Sequence, residues 1–317
     1  MSDLLDLLRP KPFRGDVIAA GVVVLVTLVV TVALRFSERW APVTHLVYIA
    51  VAWAFVTAMA GLAELEGEHP RAYQSVLYVA SIALFVAGLL ALVATIRQHH
   101  HLDSLGVAAA VTALAGGYAG GFAILRNSAV CTLIASLLVG LAVLAAVGAL
   151  WHSVGLTTYR WLLLALAAVF GLLAIGQRDR RPRHGVALID AAGLAILVIA
   201  LTCAVSLSLT FDGERHGALT PPPAWGWELL ILAAGFGLIA YSSVDRQPGP
   251  AYIGVLNLLG FVIVAARPDD LHVSLAGWPL VLALAAALLL AIGLRPTTPA
   301  PPPPDYDAPE PPPLPLR

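Results

Sequence analysis

Ten apolar stretches, each about the 20 residues that a bilayer-crossing helix needs, fill the chain between Asp16 and Arg295. They lie near 16–36, 43–63, 72–96, 104–125, 129–151, 158–176, 185–210, 226–243, 251–266 and 273–294. This pattern fixes the solvent before it fixes any contact. Unpaired backbone groups cost several kcal/mol in hydrocarbon, so a spanning segment must be a helix or part of a closed barrel. Barrel strands alternate apolar and polar residues, whereas runs such as Gly21–Thr31 and Leu280–Leu290 are continuous. The expected fold is an all-α, polytopic transmembrane helical bundle of about ten spans. The ninth stretch is the shortest and is punctuated by glycine.

Composition agrees. The chain is 59% hydrophobic and 12% charged, with a mean hydropathy of +0.87; a soluble domain carries about 25% charged residues. A net charge of −1 gives nucleic acid no electrostatic footprint. Lys11 is the single lysine among 18 basic residues, the usage of a GC-rich bacterial genome. Cys131 and Cys203 fall inside predicted spans and read as small apolar residues. The run Val17–Leu34 exceeds a signal-peptide core and reads as a retained first helix.

Three regions follow: a cytoplasmic N-terminal segment, 1–15; a ten-span domain, 16–295; and a tail, 296–317. The tail holds eleven of the chain's 23 prolines. It reads as a solvated, disordered or polyproline II segment, with a proline-motif protein partner as the alternative. Orientation follows from the basic residues of short loops. With the N-terminus inside, the inner segments hold Arg9, Lys11, Arg14, Arg71, Arg126, Arg178, Arg180, Arg181, Arg183, Arg246, Arg295 and Arg317. The outer ones hold Arg35, Arg39, Arg97, Arg160, Arg215 and Arg267. That twelve-to-six bias puts both termini in the cytoplasm of a cell-membrane protein. Trp40, Trp151, Trp161, Trp225, Trp227 and Trp278 fall at the outer boundary, as an aromatic belt.

An internal repeat of two helices is also legible. Ala167-Ala168-x-Phe170-Gly171-Leu172 matches Ala233-Ala234-x-Phe236-Gly237-Leu238, and Asp179-Arg180-x-Pro182 matches Asp245-Arg246-x-Pro248. Leu188-Ile189-Asp190-x-x-Gly193 then meets Val255-Leu256-Asn257-x-x-Gly260. A fainter copy brings in Tyr78. An even-span unit repeats in parallel, unlike the inverted halves of many secondary transporters. It predicts Asp190 and Asn257 at one depth.

Asp190 is the sharpest candidate for chemistry. A carboxylate in the membrane is costly and must face the bundle. Asn257 and Tyr78 could join it in a polar cluster. A proton or substrate site competes with helix-packing glue, and glue is favoured. His99, His100 and His101, beside Asp103, could ligate zinc or copper. Adjacent histidines do not share a helix face, so an exposed loop is favoured. Glu64, Glu66, Glu68 and His69 read as a solvated turn rather than a cation site. Gly116-Gly117-x-x-Gly120-Gly121 reads as a packing motif. No catalytic motif and no cofactor is expected.

The ending, Gly277-Trp278-Pro279 opening a helix that closes on Gly293-Leu294-Arg295-Pro296 before the proline tail, resembles polytopic membrane proteins of actinobacterial type. The resemblance implies no activity and carries no site residues. The expected role is therefore non-enzymatic, as a membrane scaffold or a lipid- or partner-binding protein. The alternative is a small-molecule or ion transporter using Asp190.

Overall fold

A computed structural model describes residues 14–36, 39–64, 70–97, 104–151, 154–214 and 225–265, with isolated positions 283, 284 and 287; side chains of 206–214 are outside this set. The predicted tenth span, the histidine loop, Glu66, Glu68, His69, Trp278 and the proline tail lie outside the described residues. Among the described residues, nine helices are long and apolar enough to cross a membrane, and this is a multi-pass membrane protein. They are α1 (Gly15–Arg35), α2 (Pro42–Leu62), α3 (Ala72–Arg97), α4 (Ser104–Leu125), α5 (Ala129–Leu150), α6 (Leu156–Gln177), α7 (Pro182–Glu214), α8 (Trp225–Asp245) and α9 (Pro248–Ala265). The short, glycine-punctuated ninth stretch is a helix of 18 residues.

The helix ends are set locally. Pro42, Pro182 and Pro248 open α2, α7 and α9, where proline's missing N–H would be unpaired anyway. Asn127, at φ 50°, turns α4 into α5, and the Ser128 hydroxyl accepts from the backbone N–H of Cys131 to cap α5. Asparagine tolerates this left-handed conformation better than most residues. Arg246, at φ 54°, makes the matching reversal from α8 to α9.

Outward faces are apolar, as lipid contact requires. Leu125 is 80% exposed, Val17 74% and Val244 72%; water would leave such a surface aggregating. The tryptophans assigned to the outer boundary differ in exposure. Trp151, Trp161 and Trp225 are exposed, but Trp227 is buried against Trp161, ring centroids 5.1 Å apart.

The core has a seam. Buried residues of α1 to α5, among them Val56, Leu77, Leu84 and Cys131, form one cluster. Leu163, Ile199, Cys203, Trp227 and Val264 of α6 to α9 form another. Helix α5 pairs with α4 on one side and α7 on the other. Half of the apolar window of α7 is buried, against 11% in α1, so α7 is the internal post and α1 a peripheral one.

Glycines set the closest approaches. A Cβ on Gly116 would lie 3.1 Å from Val139 and 3.4 Å from its backbone nitrogen, so α4 meets α5 there. Gly117, Gly120 and Gly121 face open space. One glycine of the expected packing motif therefore makes the contact.

Candidate functional site

Polar side chains inside the bundle fall into two kinds. The first kind ties helices together. The hydroxyls of Thr57 on α2, Ser81 on α3 and Tyr118 on α4 form a triangle with sides of 2.7, 2.7 and 3.1 Å. Trp53 donates its indole N–H to the Tyr118 hydroxyl at 3.2 Å. Each hydroxyl has one proton to give and a lone pair to accept, so the triangle satisfies itself. Tyr118→Phe removes the acceptor of the Trp53 N–H and should cost about 1–2 kcal/mol. Comparing melting temperatures in detergent checks this; an unchanged Tm would show that the triangle contributes nothing.

Two arginines counted from sequence as boundary charges also point inward. Arg126 donates to the carbonyls of Ala63, at 3.2 Å, and of Gly61, closing the C-terminal end of α2. A cation is favoured at that end of a helix. Arg160 is 4% exposed and donates to the Thr202 carbonyl at 3.0 Å, binding α6 to α7. Sequence reading missed these roles because a boundary arginine looks the same whether it turns to water or to a helix end.

The second kind has an unanswered group. Among the described residues, three buried side-chain oxygens lack a hydrogen-bond partner: Tyr78 Oη, Asp190 Oδ1 and Asn257 Oδ1. They belong to the three residues that the repeat alignment singled out. The structure does not bring them together. Tyr78 is fully buried in the α1–α5 core and stacks on Phe122 with centroids 5.0 Å apart. Asn257 is fully buried on α9 and donates to the carbonyls of Gly193, at 3.1 Å, and Ile253, at 3.0 Å.

Asp190 is half-buried on α7 and lies against Gly249, where an added Cβ would sit 2.8 Å from its Oδ2. Helix α9 runs alongside α7, with Asp190 beside Gly249, Gly193 beside Ile253 and Ala200 beside Gly260. Asn257 therefore meets α7 about one turn or more beyond Asp190. This corrects the expected common depth. The repeat aligned the residues in sequence, but the first turn of α9, at Gly249, already stands level with Asp190 on α7. Nearby, Arg178 donates to Asp245 at 3.0 Å, joining the ends of α6 and α8.

A third arrangement was not read from sequence. A cavity of about 230 Å³ lies between α4, α5, α6 and α7. Gln177, Arg181 and His184 form its boundary end, and Gly120, Ala123 and Leu188 lie deeper. His184 is 7% exposed and held at both ring nitrogens: Nε2 lies 2.8 Å from Asn127 Oδ1, and Nδ1 lies 2.5 Å from Thr132 Oγ1. The ring is thus a fixed wall joining α7 to α5 and the α4–α5 turn. The signal in the sequence was weak: a histidine after an arginine cluster reads as one more boundary residue.

Among the described residues, no group of three or more His, Cys, Asp or Glu is placed to hold an ion. Cys131 and Cys203 are both buried free thiols, in different core clusters. Comparison with known proteins is silent as well: no protein-family model matches the chain, and no curated protein or solved structure is detectably similar to it.

Proposed function

We propose that this protein is a non-enzymatic membrane scaffold that acts by engaging lipids or partner proteins through its packed bundle, with both termini cytoplasmic. One observation carries the reading. Arg126, Arg160 and the Trp53–Thr57–Ser81–Tyr118 node are each spent on joining two or more helices. A transport path needs polar groups turned toward a passage rather than toward neighbouring helices.

The transport alternative rests on Asp190, whose buried Oδ1 has no partner among the described residues. It would be a proton- or ion-binding carboxylate at the α7–α9 contact. Proteoliposomes carrying an internal pH dye separate the two readings. The scaffold reading expects an imposed pH gradient to decay as in protein-free vesicles. Decay that is faster with wild type, and abolished by Asp190→Asn at equal insertion, would sink it.

The orientation rests on the twelve-to-six distribution of basic residues. Reporter fusions after Arg126 and after Arg215 are expected to give opposite sides. The same side from both would show the topology to be wrong.

A further inference from the structure

We propose that the cavity between α4, α5, α6 and α7 binds an anionic phospholipid, with the phosphate at Arg181 and an acyl chain lying over Gly120, Ala123 and Leu188. The inference rests on the lipid-engaging reading above and names the ligand class. The cavity has the two chemistries of such a lipid, the polar one at the end of α6 and start of α7 and the apolar one further along the helices. Its boundary end carries Arg181 and Gln177 beside the His184 wall, and none of its lining residues is acidic. Beyond it the lining is mostly apolar, and the one hydroxyl there, Ser136, donates to the Thr132 carbonyl of its own helix at 2.8 Å.

Charge complementarity selects the headgroup. Arg180, Arg181 and Arg183 are all exposed around the start of α7. Arg178 in the same turn is already paired with Asp245, whereas Arg181 has no ion-pair partner among the described residues. Basic pockets between helices at the membrane boundary suit lipid phosphates. The cavity is open to the side: Ile124, next to last in α4, lines it and is 69% exposed, so a chain can enter from the bilayer. The two hydrogen bonds on His184 hold the wall before any ligand arrives, which reduces the ordering cost of binding. Gly120 leaves room, since a Cβ there would meet nothing within 4 Å.

The test is thermal unfolding of the purified full chain in detergent, titrated separately with phosphatidylglycerol, phosphatidylcholine and inorganic phosphate. Phosphatidylglycerol should raise Tm, and the other two should not. Arg181→Gln should weaken the apparent affinity for phosphatidylglycerol about five-fold, the effect of one lost basic contact at a lipid surface. Arg180→Gln, outside the cavity, should stay near wild type. Gly120→Leu fills the chain end and should reduce the stabilisation by phosphatidylglycerol without lowering the lipid-free Tm. If Arg181→Gln does not fold, Arg181→Lys, which keeps the charge, should retain the response that Gly120→Leu loses.

Equal shifts with phosphatidylcholine would overturn the proposal, as would an equal loss in Arg180→Gln, which marks diffuse surface charge. A full response to inorganic phosphate would make this an ion site rather than a lipid site. The vesicle flux assay judges the scaffold reading separately. Flux alongside selective stabilisation by phosphatidylglycerol removes that reading alone.

Discussion

Replacing Gly254 by leucine is expected to force α8 and α9 apart and to lower stability by about 3 kcal/mol, the upper end of the overpacking range. A Cβ at Gly254 would lie 2.7 Å from the Gly235 carbonyl oxygen and 3.2 Å from the Ile239 backbone nitrogen. Those are backbone atoms, so no rotamer change can relieve the overlap. The neighbouring glycines grade the effect. At Gly193 the obstacles are the side-chain ends of Leu238 and Ile253, at 2.7 and 2.8 Å, which can move. Gly193→Ala should therefore cost less than Gly254→Ala. Gly237→Leu is the control, because nothing lies within 4 Å of a Cβ there. Melting temperature and the monodisperse fraction on gel filtration read the series. A Gly254→Leu protein that melts with wild type would show that α8 and α9 do not cross at these glycines.

Asp190→Asn is expected to stabilise the protein at neutral pH by about 1–2 kcal/mol. An aspartate at mid-helix carries an insertion cost of about 2.5–3.5 kcal/mol, less toward the boundary. Asp190 is the ninth residue of α7 and half-buried, with Oδ1 unpartnered among the described residues. Asparagine keeps the shape that fits against Gly249 and removes the charge. Asp190→Leu keeps similar bulk without polar atoms and should be tolerated. Stability in detergent across the three proteins decides the matter. A lower Tm for Asp190→Asn would mean that the carboxylate's charge is answered in the native protein, which revives the cation-binding alternative.

Of the candidate site, the sequence exposed the residues but not their company. Asp190, Asn257 and Tyr78 stood out because polar groups are rare in apolar runs, and the structure leaves an oxygen of each without a partner. Their grouping into one cluster failed. Sequence alignment reports equivalent positions in a repeat, whereas contact depends on how α9 slides along α7. His184, Asn127 and Thr132 were missed for the opposite reason. Each lies close to a loop, where polar residues are common, and only the approach of α7 to the α4–α5 turn makes them one wall.

The sequence by itself determined the solvent, the helical class, the nine described spans and the brevity of the connections, because lipid demands long apolar runs with every backbone group paired. Which faces meet was decided by the tertiary structure alone. These helices are apolar nearly all round, so hydrophobic periodicity marks no inner side. In lipid, burying one apolar face rather than another brings little hydrophobic gain. Partner choice then falls to close-packing glycines and interhelical hydrogen bonds. Gly116 and Gly120 look alike in the sequence, yet one presses on α5 and the other opens a cavity.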